Sequence, residues 1–482
     1  FGLGVQTCDI NEDGWPDIFV SNDFITNDLL YINNQNGTFS NKSAEYFKHT
    51  TYNAMGNDMG DINNDGLTDL VEVDMLPDDN YRWKVTIMGN TFDEFQNGIK
   101  FGYEHQYIRN TLQLNNGNNT FSEIGYLAGI EATDWSWSPL FADVDNDGFK
   151  DLFISNGYRQ DITNLDFIKF SERTLRMGTP DANKKERLDM LNRIPGIVVP
   201  NYLFRNNGDL TFKNVSSDAG IDSYAFANGA AYADLDNDGD LDLVTNNIDK
   251  AASIFENKTK IDSVNYLRIK LNGSGVNREG IGAMVKIKSG SFQQSQYFTP
   301  HRGFLSSVEP VIHFGLGKIN ELDTVEVIWP DHKMEVITGV RSNQLLTLNQ
   351  TNAKRVKNFK RPPVTTLFRR ENSDTPVHQE NDYVDFKSQP LLPHIHSKNG
   401  PGVAVGDVNL DGLEDYYVAV ATGQTGYIQI QNPDGSFVAQ ERPLIVAESD
   451  QMAVLFFDAD NDGDSDLYIG TGGSEFENNS PN

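Results

Sequence analysis

DVDNDGFKDLFI, residues 143–154, sets Asp143, Asp145, Asp147 and Asp151 within nine residues and then runs straight into apolar sequence. Like charges this close disfavour ionisation unless something positive sits among them. The template D-x-[DN]-x-D-G-x-x-D returns five more times, as DINEDGWPD at 9–17, DINNDGLTD at 61–69, DLDNDGDLD at 234–242, DVNLDGLED at 407–415 and DADNDGDSD at 458–466. If the chain curls tightly, oxygens at the first, third and fifth positions converge on one point. Glycine at the sixth position permits the positive φ that such a curl needs. A backbone carbonyl at the seventh position and the aspartate at the ninth complete an all-oxygen shell. That donor set suits a hard cation with about six to eight oxygen ligands, calcium ahead of magnesium, and not zinc or copper.

The candidate ligands follow position by position. They are Asp9, Asn11, Asp13, Trp15 and Asp17 in the first loop, and Asp61, Asn63, Asp65, Leu67 and Asp69 in the second. The third loop offers Asp143, Asp145, Asp147, Phe149 and Asp151, and the fourth Asp234, Asp236, Asp238, Asp240 and Asp242. The fifth offers Asp407, Asn409, Asp411, Leu413 and Asp415, and the sixth Asp458, Asp460, Asp462, Asp464 and Asp466. The seventh-position residue would serve through its carbonyl. Glu72 stands where an EF-hand carries its bidentate glutamate, but the other loops have Val20, Ile154, Thr245, Val418 and Ile469 there. Strand-like runs such as DIFVSN and DLFISN follow the loops, so the expectation is hairpin loops braced by calcium, not EF-hands. Asn/Gly turns recur after several of them, in LLYINNQNGTF at 29–39, LQLNNGNNTF at 112–121, LFRNNGDLTF at 203–212 and, more loosely, YIQIQNPDGSF at 427–437. The loop starts are 52, 82, 91, 173 and 51 residues apart, and the short intervals fit one four-stranded blade of about 40–50 residues.

The loops and hairpins resemble FG-GAP/VCBS repeats, which implies all-β, integrin α-type propeller blades over 1–260 that hold calcium on one rim. Between 262 and 350 the template vanishes. The segments GVNREGIGAMVKI at 275–287, HRGFLSSVEPVIHFGLG at 301–317 and VEVIWPDHK at 325–333 resemble an ASPIC/UnbV domain, a small all-β module. A basic linker at 351–364 precedes further blades at 365–482, where NDYVDFKSQPLLPHIHSKNGPGVAVGDVNLDG resembles the opening of a second propeller. The succession is similar to bacterial surface proteins and to the animal cartilage acidic proteins. Four loops before the module and two after it imply blades beyond both ends, with the chain starting mid-blade, or else one propeller built around an inserted module.

A net charge of −30 excludes nucleic acid and anionic lipid as partners, and the apolar runs are too short to span a bilayer. Cys8 is the only cysteine, next to a loop and without an evident base, so it reads as a small buried residue. His394 and His396 share a strand face but lack a third zinc ligand nearby. Trp135 and Trp137 alternate as on a strand and pack between blades or stack on sugars. A helical insertion is expected over about 160–195. No nucleophile or metalloprotease motif appears. The expectation is a non-enzymatic, calcium-binding propeller protein outside the cytoplasm, at a bacterial cell surface or outer membrane. Its loops would recognise a protein or glycan, with outer-membrane complex subunits as further partners. The rival reading is a propeller-based polysaccharide lyase or hydrolase.

Overall fold

The computed structural model describes residues 2–86, 91–169, 189, 194, 196–221, 224–259, 264–357, 359, 368, 377–440, 447 and 449–473. They form two compact units, Phe1–Val364 and Thr365–Asn482.

The first unit begins with three four-stranded antiparallel sheets and one of three strands, consistent with propeller-like blades. Blade I is β1 (Gly2–Cys8), β2 (Asp17–Asn22), β3 (Leu29–Asn33) and β4 (Phe39–Asn41). A short β5 (Thr50–Thr51) then leads to blade II, which is β6 (Asn57–Gly60), β7 (Asp69–Glu72), β9 (Thr111–Asn115) and β10 (Phe121–Glu123). Inserted within it, β8 (Gln106–Tyr107) pairs in parallel with β5. Blade III is β11 (Ser136–Ala142), β12 (Asp151–Asn156), β13 (Tyr202–Asn206) and β14 (Phe212–Asn214). Blade IV is β15 (Phe226–Ala233), β16 (Asp242–Ile248) and β17 (Ser253–Phe255). The first strands stand side by side, β1 against β6, β6 against β11 and β11 against β15.

Every acidic loop joins the first strand of a sheet to its second. The closing pair is always the residue before the loop with the loop's ninth-position aspartate: Cys8↔Asp17, Gly60↔Asp69, Ala142↔Asp151 and Ala233↔Asp242 in this unit. Between sheets lie cores such as Val71, Leu112, Phe141 and Ile154, all at most 1% exposed. At about 25 cal/mol per Å² of apolar surface removed from water, these faces hold neighbouring blades together.

Residues 265–356 form the module around its own core, with Ile269, Val285, Phe314 and Trp329 buried. Here β18 (Asn265–Asn272) lies between β23 (Ile312–Gly317), antiparallel, and β26 (Leu345–Asn349), parallel. A second sheet runs β20 (Phe292–Tyr297), β19 (Met284–Ser289), β24 (Glu321–Ile328), β25 (Lys333–Arg341) and β27 (Arg355–Val356). The last of these takes Arg355 and Val356 out of the expected linker and into the module's sheet. The small hairpin of β21 (His301–Arg302) and β22 (Ser306–Ser307) enters among the first strands of the blades, where Gly303 bridges to Asn57.

The second unit repeats the design. Its four-stranded sheet is β28 (Val403–Gly406), β29 (Asp415–Val418), β30 (Ile428–Gln431) and β31 (Phe437–Ala439), and β32 (Asp450–Phe457) pairs with β33 (Asp466–Gly472). The registers Gly406↔Asp415 and Phe457↔Asp466 place the fifth and sixth loops as in the first unit.

Candidate functional site

Each of the six loops closes on the same backbone hydrogen bonds. The sixth-position glycine N–H donates to Oδ2 of the first aspartate at 2.8–3.1 Å. The fifth-position N–H donates to the other oxygen of that aspartate at 2.9–3.2 Å. The glycines have φ of 86–103°, as the sequence requires. The fourth position is left-handed too, at Glu12, Asn64, Asn146, Asn237, Leu410 and Asn461, with φ of 55–64°. Nothing in the sequence marks it where Glu12 and Leu410 stand, because neither residue favours it. Trp15, Leu67, Phe149, Asp240, Leu413 and Asp464 each donate their backbone N–H to the fifth-position carboxylate.

The ninth-position aspartate ties the loop to its sheet. One oxygen accepts the second-position N–H at 2.9–3.1 Å. In five loops the other accepts an N–H after or at the end of the third strand, at Asn33, Asn115, Asn206, Asn257 and Gln431.

In three loops, carboxylate oxygens gather within 4.8 Å of one another: Asp143, Asp145 and Asp151; Asp234, Asp236 and Asp238; and Asp458, Asp460 and Asp466. Where the third position is Asn11, Asn63 or Asn409, its Nδ2 donates to the fifth aspartate instead. Burial raises Asp9 to about 7, with Asp13 and Asp17 adding repulsion against the N–H bond from Gly14. Burial likewise lifts Asp17 and Asp61 to about 6. Asp69, Asp143 and Asp151 stand well above the usual carboxylate range for the same reason, Asp143 with further repulsion from Asp147 and Asp145. Burial opposes the charge that a loop of oxygens carries, and a divalent cation reverses this balance. The donor chemistry therefore fits a hard cation.

The module packs against all four loops of the first unit. His332 Nε2 donates to the Gly14 carbonyl at 3.0 Å in the first loop. In the second, Ser295 Oγ reaches Asp61 Oδ2 at 3.4 Å and the Gly66 carbonyl at 3.2 Å. Neutral His313, lowered to about 3 by burial beside Arg268 and Lys150, lies 2.7 Å from Asn146 Oδ1 in the third. There a Cβ on Gly315 would stand 2.0 Å from Asp143 Oδ2. At the fourth, Arg268 binds Asp234 at 2.5 Å and also Glu309. The loops were expected to recognise a ligand from a propeller rim; in the first unit the module sits on the loop-bearing end. The third and fifth positions stay at least partly open to solvent.

The remaining candidates resolve differently. Glu72 ends β7, fully buried and near enough to Asp28 to repel it, which makes it no loop ligand. The Cys8 thiol is buried, touches Thr68 Oγ1 at 3.5 Å and is pushed far up by burial. His394 and His396 lie with ring centroids 4.3 Å apart, in no metal-type cluster among the described residues. Trp135 stacks on Tyr158 at 4.2 Å, and Trp137 meets Phe304 at 4.8 Å. Most of the expected helical insertion lies outside the described residues.

Sequence reasoning missed one further device. Asp28, Asn110 and Asn201 each accept a backbone N–H from the chain leaving the second strand, at Asn22, Asp74 and Asn156. The partners are 6, 36 and 45 residues apart, so no fixed spacing betrays them.

Residues 9–72, 103–154, 187–245 and 407–469 match the FG-GAP-like repeat, and residues 273–355 match the family described as ASPIC and UnbV. The chain is 27% identical over 269 residues to human cartilage acidic protein 1, covering 49% of this chain and 39% of that protein. The mouse protein gives 28% identity with 49% and 40% covered, and the Xenopus tropicalis one 36% over 110 residues with 22% and 16% covered. The match thus spans about two fifths of the mammalian relatives' length. A solved Agrocybe aegerita lectin that recognises non-reducing terminal N-acetylglucosamine aligns over 97% of this chain and 86% of its own, at 14% identity and a TM-score of 0.25, and carries no argument here. Repeated acidic loops on first-to-second strand connections, and the small module packed on them, are together the two matched families: the chain is a protein of FG-GAP-like repeats with an ASPIC and UnbV domain.

Proposed function

We propose that the six loops are calcium sites and that the chain is a non-catalytic, calcium-braced recognition protein working outside the cytoplasm, at a cell surface or in an outer-membrane complex. One observation carries this reading. Six separate loops share one hydrogen-bonded curl, in three of them the carboxylates gather within 4.8 Å, and at Asp143 and Asp234 burial opposes their charge. In each loop the first, third, fifth and ninth side chains would hold the ion. Sites of this kind in extracellular modules bind on the order of 10⁻⁴–10⁻³ M, which matches calcium outside cells and not in cytosol. Six divalent ions would take the net charge from −30 to −18, since 6 × 2 = 12. Protein or glycan ligands suit such a surface.

Calorimetric titration of the metal-free chain with CaCl₂, alongside melting curves in EDTA and in millimolar calcium, tests this. Binding at several sites and a higher melting temperature with calcium are expected. A melting temperature that ignores both EDTA and calcium sinks the proposal.

A further inference from the structure

With the module seated on the loop end, the opposite ends of the blade strands are where a cavity of about 1040 Å³ opens. It is built by the start of β1, the turn after β2, the approach to β6, the start of β11 and the chain after β12. Its inner wall is aromatic: Trp135 on Tyr158, and Trp137 against Phe304 from the module's hairpin. The Trp135 Nε1–H is buried without an acceptor. The mouth is apolar and open, with Phe101 81% and Phe24 56% exposed. Phe24 and its β-branched neighbour Ile25 are both left-handed, with φ of 62° and 67°. That conformation is unfavourable for such residues and concentrates at functional positions.

Among the described side chains that line this cavity, the charge has one sign. Asp23, Glu94 and Glu104 line it, and among the described residues no Lys, Arg or His does. Thr91 holds Glu94 in the capping box of the helix Phe92–Lys100. Among the described residues Glu104 has no cation beside it, and half-burial raises it above its ordinary value. Aromatic faces with an uncompensated carboxylate attract a cation carried on an apolar body, and guanidinium stacks well on such faces. The exposed aromatic rim extends beyond what a small cation would cover.

We propose that this cavity binds an arginine-bearing, otherwise apolar polypeptide segment of a partner protein, with the guanidinium at Glu104 and the neighbouring apolar side chains on the aromatic wall. This rests on the recognition reading but not on the calcium sites, so the two fail separately.

The test uses the full chain in calcium buffer and fluorescence anisotropy of a labelled Leu-Arg-Phe-Arg-Leu peptide beside its neutral citrulline isostere. The arginine peptide is expected to bind saturably, about tenfold or more tighter than the isostere. Glu104→Gln is expected to bring the arginine peptide down to the isostere's affinity, and Phe101→Ala, at an exposed position, to weaken both. Chitotriose is expected not to compete. Equal affinity for the two peptides, no saturable binding up to about 1 mM, or displacement by chitotriose overturns the proposal. Repeating the titration in EDTA separates the readings: peptide binding that persists while melting ignores calcium leaves this inference standing and removes the other.

Discussion

Asp58, on β6, is the side chain where three blades and the module meet. Its Oδ1 accepts from Gln6 of β1 and from Arg302 of the module's hairpin, both at 3.0 Å, and its Oδ2 accepts the Phe141 N–H of β11 at 2.7 Å. Burial raises Asp58, and Arg302 pulls it back. Removing one partner of a fully buried pair leaves the other uncompensated. Arg302→Ala should therefore cost about 3–5 kcal/mol in urea unfolding, whereas an exposed control such as Lys42→Ala should cost well under 1 kcal/mol. A second buried pair should make stability depend on pH. Burial lifts Glu72 to about 7, and burial with repulsion from Glu72 holds Asp28 well above its usual range. Both groups bind protons more tightly in the fold than in the unfolded chain, so their contribution is complete below about pH 4, and the Glu72 share is lost as pH rises through about 7. The calcium-loaded chain should lose about 1 kcal/mol between pH 6 and pH 8 from this source, and Glu72→Gln should flatten that slope. No reading of the sequence singled out Asp58, Arg302 or Asp28, because their partners lie far away along the chain.

At the scale of the element, the loops were the most legible part. The glycine at the sixth position, the ninth-position aspartate and the Asn/Gly hairpins all obey short-range rules that operate within a dozen residues. The left-handed fourth position was legible where Asn64, Asn146, Asn237 and Asn461 stand but not at Glu12 and Leu410, which adopt it between the loop's hydrogen bonds. The six loops should not respond alike. The Asp143 loop is packed beneath the module, whereas Asp458, Asp460 and Asp462 are exposed. A site with Kd of about 10⁻⁴ M adds about 1.8 kcal/mol at 2 mM calcium, by mass action. Asp143→Asn should forfeit roughly that amount of calcium-dependent stability in the first unit, read as a smaller melting shift between EDTA and calcium. Asp458→Asn should leave the first unit's shift untouched.

At the scale of the molecule, the order of repeats, module and repeats was readable from motif spacing, but the docking of one on another was not. It depends on single contacts between residues up to some three hundred positions apart, such as His332 with Gly14. Because the module touches every loop of its unit, calcium should protect both partners at once. Hydrogen exchange with and without EDTA should show protection lost together at 61–69 and 143–151 and at the facing strands, 292–297 and 312–317. Loss confined to the loops would show that the contacts do not transmit the change.

The hairpin at 301–307 also sets an order of assembly. The residues it wedges between all come earlier in the chain, from Asn57 to Tyr232, so those strands leave the ribosome well before their central peg does. Until residue 308 has emerged, Asp58 faces an empty hub with no guanidinium to answer it. The blades of the first unit are thus synthesised before the side chain that neutralises their shared buried carboxylate.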